Sequence, residues 1–66
     1  MSVLFEVEVT GEDVICSTES VEEARACFDS YELGPNGWKY LSVEFVINGE
    51  YRPDLAVAID YESKED

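Results

Sequence analysis

The chain has 66 residues, of which 16 are acidic, four are basic and none is histidine, so its formal charge at pH 7 is −12. A chain of this length forms one domain and buries only about 60% of the surface that its unfolded state exposes. Hydrophobic residues at 45% and aromatic residues at 12% exclude a disordered acidic tail. The charge excludes DNA, RNA and anionic membranes as direct ligands, because these polyanions would repel it.

Alternating apolar and polar residues predict a first strand over residues 3–10. Gly11-Glu12 then has the composition of a two-residue type II′ turn, in which glycine comes first. Pairing outward from this turn sets Val9 opposite Val14. We therefore expect a β-hairpin at the start of the chain.

A capping box, Ser20 to Glu23, predicts the start of a helix over residues 21–33. The Ser20 side chain should accept a hydrogen bond from the Glu23 amide, and the Glu23 carboxylate should return to Ser20. The apolar residues of this segment fall on one helical stripe. Gly34-Pro35 is expected to end the helix, with glycine in a left-handed cap.

Residues 41–47 alternate like another strand, and Asn48-Gly49 marks the turn of a second hairpin. A two-residue turn would place Arg52 on the core face. A three-residue loop with a bulged glycine instead sets Tyr51 opposite Phe45, apolar against apolar. We favour the bulged loop because it keeps the charge out of the core.

The element order β-β-α-β-β predicts an α+β fold, a four-stranded antiparallel sheet with one helix packed on one face. Residues 1–61 should form a single acidic domain, and residues 62–66 a short charged tail that is frayed. The sheet face opposite the helix, here called the open face, must meet water or a partner.

Most catalytic chemistry is excluded, since the chain lacks histidine and has no glycine-rich phosphate loop. We expect a protein that is not an enzyme and that holds no cofactor and no metal. Cys16 and Cys27 are expected to be free thiols, too few for a structural zinc site. Residues 1–10 do not resemble a signal peptide, which favours a cytoplasmic location.

The acidic residues are expected on two surfaces. On the open face the pattern places Glu6, Glu8, Asp13 and Glu44, with Asp54 and Asp60 joining them in the bulged register. A second group follows the outer side of the helix: Glu19, Glu22, Glu23, Asp29 and Glu32. Rigidly held carboxylates are suited to a basic protein surface. We expect the partner to bind Glu6, Glu8, Glu44, Asp54 and Asp60 on the open face, with the helix group as a secondary surface.

Two aromatic residues are candidate anchors for a protein partner. Tyr40 shares the open face, and Trp38 lies at the end of the sheet. The rings could also make cation–π contacts with arginines of the partner. Alternatively, both rings pack on the C-terminus of the helix.

In size and charge the chain resembles small acidic inhibitors encoded by phages and mobile elements, namely DNA-mimic anti-restriction proteins, uracil-glycosylase inhibitors and anti-CRISPR proteins. The resemblance rests on length and composition. It implies a non-enzymatic inhibitor that mimics nucleic-acid phosphate and occupies the basic site of a nucleic-acid-binding protein. The alternative is an assembly or adaptor module that dimerises or docks through the open face, using Ile15, Tyr40, Val46 and Ala58.

Overall fold

The structure is a computed structural model and describes residues 2–64. Strands β1 (Ser2–Val9) and β2 (Asp13–Thr18) precede helix α1 (Val21–Ser30), and strands β3 (Trp38–Ile47) and β4 (Glu50–Ser63) follow it. All pairings are antiparallel, and the strand order in the sheet is β2-β1-β3-β4. The predicted α+β fold, one four-stranded sheet with one helix, is therefore confirmed.

The core lies between α1 and the central strands. Its buried side chains are Val7, Val9, Ala24, Phe28 and Leu41. Helix α1 packs on β1, β2 and β3, whereas β4 is exposed along most of its length. The helix is only ten residues long, so it covers one part of the sheet and leaves the outer strand without a cover.

The start of the helix follows the predicted capping box in one of its two bonds. The Glu23 amide donates to Ser20 Oγ at 3.3 Å. The Glu23 carboxylate does not return to Ser20, because its Oε2 accepts from the Thr18 hydroxyl at 3.0 Å. Thr18 Oγ1 in turn accepts from the Ser20 amide at 3.1 Å. A threonine of β2 thus joins the two halves of the cap.

The helix ends at Ser30, three residues earlier than predicted, and Gly34 does not adopt a left-handed backbone. The reason is a lysine from the sheet. Lys39 Nζ, which is buried, donates to the carbonyl oxygen of Phe28 at 2.5 Å and to that of Tyr31 at 3.0 Å. Because the ammonium group satisfies carbonyls at the helix end, no glycine cap is needed.

The first hairpin forms with a longer loop than predicted. Val9 lies opposite Asp13 rather than Val14, and Gly11 has φ of 81° in a turn that the Glu12 amide closes on the Val9 carbonyl. An irregularity in the ladder then turns Ile15 toward the core. The expectations that Ile15 and Asp13 lie on the open face are wrong for this reason.

The second hairpin has the two-residue turn, so the predicted bulged loop is wrong. Asn48 and Gly49 have φ of 54° and 78°, as a type I′ turn requires. Phe45 lies opposite Arg52, and Tyr51 is exposed on the open face. Because α1 does not cover this part of the sheet, there is no core for Tyr51 to fill, and the turn sets the register.

Strand β4 extends through Ser63, and the Lys64 amide donates to the Gly37 carbonyl at 2.9 Å. Two residues that the sequence assigns to a frayed tail, Glu62 and Ser63, therefore belong to the sheet. Glu65 and Asp66, the end of that expected tail, lie outside the described residues.

Candidate functional site

The open face brings together most of the residues that the sequence places there. Glu8 lies opposite Tyr40 on neighbouring strands, and Tyr40 lies opposite Tyr61 on the next pair. Glu6 lies opposite Ser42, beside Glu44. The face divides into a carboxyl cluster, formed by Glu6, Glu44 and Tyr51, and an aromatic groove at the other end.

The carboxyl cluster is partly buried, and one of its carboxyl groups has a raised pKa. Glu44 is only 7% exposed, and its Oε1 accepts a short hydrogen bond from the Tyr51 hydroxyl. Its Oε2 is buried and has no hydrogen-bond partner within residues 2–64. A hydrogen bond between the Glu6 and Glu44 carboxyl groups, assisted by burial, raises the pKa of Glu6 to about 7. Glu6 therefore holds a proton in weakly acidic solution, which lowers the charge of this surface.

Tyr51 closes the cluster on its outer side. The hydrogen bond to Glu44 raises the pKa of the Tyr51 hydroxyl to about 12, so this group stays a donor at neutral pH. Sequence reasoning placed Tyr51 in the core and missed this contact. The Asn48-Gly49 turn was the available signal, because a type I′ turn sets Tyr51 opposite Val46 on the open face.

Asp54 and Asp60 do not join the open-face carboxylates, contrary to the expectation. Asp60 lies opposite Leu41, on the face that carries the helix, and accepts from Arg25 Nη1 at 2.6 Å. This bond lowers the pKa of Asp60. Asp54 forms a two-bond ion pair with Arg52, at 2.9 and 3.0 Å, which lowers the pKa of Asp54. Both aspartates are thus neutralised within the protein.

The aromatic groove has a volume of about 340 Å³ and is lined by Glu8, Trp38, Tyr40 and Tyr61. The Tyr40 and Tyr61 ring centroids are 6.5 Å apart, with the ring planes at 88°. Both predicted anchors are therefore part of one depression in the open face. Tyr61 was missed by sequence reasoning, because an irregularity of β4 between the partners of Leu41 and Ser42 decides which face it takes. No residue type in the sequence marks that irregularity.

The outer side of α1 carries the second acidic group. Glu22 and Glu23 are exposed in the first turn, and Asp29 and Glu32 are exposed near the helix end. Glu22 and Asp29 are seven residues apart, which places them on one stripe about 10 Å apart along the axis. Glu19 is exposed just before the helix. This acidic helix side is defined by Glu19, Glu22, Glu23, Asp29 and Glu32.

Within residues 2–64, the basic side chains form their ion pairs away from the acidic helix side. Their three pairs join Arg25 to Asp60, Lys39 to Glu62 and Arg52 to Asp54. Within the described chain, no ion pair involves a carboxylate of the acidic helix side. A depression of about 680 Å³ lies beside the helix end, and its lining includes Asp29, Glu32, Lys39 and Lys64.

Cys16 and Cys27 are free thiols, and both are half-buried. Burial, and to a lesser extent a hydrogen bond with Cys16, raises the pKa of the Cys27 thiol. Cys27 is therefore less reactive than an exposed cysteine. Among residues 2–64, no three His, Cys, Asp or Glu side chains are arranged to hold a metal ion. Over the same residues, no helix has the length and hydrophobicity needed to cross a membrane.

No protein-family model, no curated protein and no solved structure matches this chain. The function must therefore be argued from its surfaces.

Proposed function

We propose that this protein is a non-enzymatic inhibitor that binds the basic nucleic-acid site of a cytoplasmic protein through its acidic helix side. The observation that supports the proposal most directly is the distribution of ion pairs. Three of the four basic side chains pair with Asp54, Asp60 and Glu62, and within residues 2–64 none pairs with the acidic helix side. A cationic partner would supply the charge that these carboxylates lack.

The acidic helix side suits this role better than the carboxyl cluster. Its carboxylates are exposed, whereas Glu44 is buried and the pKa of Glu6 is raised to about 7. Exposed charges of one sign raise the rate of encounter with an oppositely charged surface. The open face contributes Glu8 and the anchors Trp38 and Tyr40, at the end of the sheet where the helix also finishes.

The resemblance in size and charge to phage-encoded inhibitors suggests which targets to assay first. A host defence nuclease, including a CRISPR effector complex, presents a dense cationic groove for nucleic acid. A compact body with a charge of −12 can compete for such a groove without itself binding DNA or RNA. The proposed mechanism is stoichiometric occupation of the groove.

The proposal is tested by capturing the tagged protein's partners from nuclease-treated host lysate at low and high salt. We expect a nucleic-acid-binding protein that is retained at low salt, released at high salt and displaced by added duplex DNA. The purified partner is then titrated with the parent protein and with two variants. The double variant Glu22→Gln/Asp29→Asn removes charge from the acidic helix side. The matched control Asp13→Asn/Glu50→Gln removes the same charge from the two hairpins.

We expect the helix variant to bind the partner roughly tenfold more weakly and the control to bind within about twofold of the parent, because direct charge pairs contribute more than distant ones. Equal losses of affinity for the two variants would show that the partner responds to net charge alone and does not bind the acidic helix side specifically. Capture that ignores both salt and DNA would contradict the proposal.

A second candidate, an assembly module, is favoured by the exposed apolar residues of β4. Leu55, Val57 and Ile59 are exposed, and Val57 lies opposite Val43 on the helix-bearing face beyond the cover of α1. This surface differs from the predicted open-face interface of Ile15, Tyr40, Val46 and Ala58, of which Ile15 lies toward the core instead. Light scattering separates the candidates: a stable dimer that Val57→Lys dissolves supports assembly, and a monomer at all concentrations excludes self-assembly.

A further inference from the structure

The aromatic groove is built from three exposed or half-exposed rings that converge on one depression. Trp38 is 36% exposed and Tyr61 is 59% exposed, so neither ring is used to fill the core. Tyr40 lies between them in the sheet, with its ring nearly perpendicular to that of Tyr61. The sequence also allowed Trp38 and Tyr40 to pack on the C-terminus of the helix. In the structure both rings instead line the groove on the open face.

The walls of the groove are held by hydrogen bonds behind them. The Trp38 amide donates to Thr10 Oγ1 at 2.7 Å, and the Thr10 amide donates to the Trp38 carbonyl at 3.0 Å. The Tyr61 amide donates to Asp60 Oδ1 at 2.9 Å, while the other carboxylate oxygen of Asp60 accepts from Arg25. A site whose backbone is fixed in advance loses less entropy when it binds a ligand.

The chemistry of the lining selects for a cation. Aromatic faces carry negative electrostatic potential and attract organic cations. The one charged residue of the lining is Glu8, and its carboxylate has no ion pair within residues 2–64. No basic residue lines the groove among those described. The chain thus leaves three rings and a carboxylate without a cationic counterpart.

We propose that the aromatic groove binds the guanidinium group of an arginine presented by a protein partner. Arginine uses both halves of the lining, because it stacks on aromatic faces and donates two parallel hydrogen bonds to a carboxylate. A methylated ammonium would use the rings but could not form the paired bonds with Glu8. The inference deepens the proposed function, on which it rests for the presence of a protein partner, by naming the chemical group that Glu8, Trp38 and Tyr40 bind.

The test uses small probes and the fluorescence of Trp38, which is the only tryptophan of the chain. The protein is titrated with N-acetyl-arginine amide and with N-acetyl-citrulline amide, which has nearly the same shape but no charge. A third titration uses N-acetyl-trimethyllysine amide, and two-dimensional NMR spectra locate each binding site. We expect arginine to bind at least about tenfold more tightly than citrulline, since the guanidinium contacts both rings and carboxylate.

Substitutions assign the binding to the groove. Tyr61→Leu and Glu8→Gln should each weaken arginine binding by roughly two- to fivefold, the contribution of one cation–π or charged contact at an exposed site. Tyr51→Leu is the matched control, because Tyr51 is an exposed tyrosine of the same strand outside the groove. It should leave arginine affinity unchanged, and circular dichroism should show all three variants folded.

Three outcomes would overturn the inference. Equal affinity for citrulline would show that charge is not recognised, and tighter binding of trimethyllysine would assign the groove to methylated ammonium groups instead. Equal effects of Tyr61→Leu and Tyr51→Leu would show diffuse attraction to an acidic protein. None of these outcomes affects the capture experiment with the Glu22→Gln/Asp29→Asn variant, so the two proposals fail separately.

Discussion

Glu6 makes the stability of the protein depend on pH, because its pKa of about 7 lies well above the usual value of 4.5. Between these two values the folded state holds a proton that the unfolded state has released. The free energy of unfolding therefore falls as pH rises through this window. The stabilising contribution is complete below about pH 4.5 and is lost above about pH 7.

We predict that Glu6→Gln removes this part of the pH dependence. The glutamine amide can donate to Glu44 at any pH, so the variant should match the parent near pH 5 and exceed it by about 2.5 kcal/mol near pH 8. Urea unfolding at the two pH values measures the difference. Glu19→Gln is the control, since it removes one exposed charge without touching a second carboxyl group. A Glu6→Gln variant whose stability changes with pH as much as the Glu19→Gln control does would contradict the raised pKa of Glu6.

At the scale of single residues, part of the open face could be predicted from the sequence. Glu6, Glu8 and Tyr40 follow from the strict alternation of β1 and β3, which the buried valines fix. The raised pKa of Glu6 depends on its distance from Glu44 across two strands, and alternation alone does not give that distance. The fourth member of the groove, Tyr61, depends on a ladder irregularity that no glycine or proline announces.

At the scale of elements, Lys39 connects β3 to the end of α1. Its ammonium group donates to the carbonyls of Phe28, in the last turn of the helix, and of Tyr31, the C-cap residue. It also lies 4.7 Å from the centre of the Phe28 ring and pairs with Glu62 at 3.4 Å. A cation at the helix C-terminus also opposes the negative end of the helix dipole. Lys39 therefore acts as a C-cap supplied by the sheet.

We predict that Lys39→Met lowers the free energy of unfolding by about 2 kcal/mol, because it leaves carbonyl groups without donors in a partly buried place. Methionine keeps most of the apolar stem, so the loss reports on the ammonium group. Lys64→Met is the control, with the same change in charge at an exposed position. It should cost less than about 0.5 kcal/mol. Similar losses in the two variants would show that net charge, and not the cap, is responsible.

The two hairpins show why element order was predictable and register was not. The alternation in β1 and β3 and the capping box at Ser20 are local signals, and they gave the β-β-α-β-β order. The register of the second hairpin was judged by core burial, but α1 stops at Ser30 and covers too little of the sheet for burial to decide. The Asn48-Gly49 turn decided instead. The helix end was misplaced because its cap, Lys39, comes from another element.

On the scale of the whole molecule, the charge of −12 is spread over an elongated body of 44 × 22 × 17 Å. Many of its carboxylates are therefore separated by more than the Debye length, which is about 8 Å at physiological ionic strength. Their mutual repulsion weakens the folded state most at low salt. The three ion pairs relieve only part of this repulsion, since each uses one of the few basic side chains.

Salt should consequently act in opposite directions on folding and on partner binding. We predict that adding sodium chloride raises the melting temperature, because screening reduces repulsion within the folded chain. The Asp13→Asn/Glu50→Gln variant, with two fewer charges, should show a smaller rise. Over the same salt range, affinity for a basic partner should fall, because the carboxylates that repel one another are those that attract it. Calorimetry and titration on one set of samples measure both trends. A melting temperature that falls with salt would show that repulsion among the carboxylates does not destabilise the folded state.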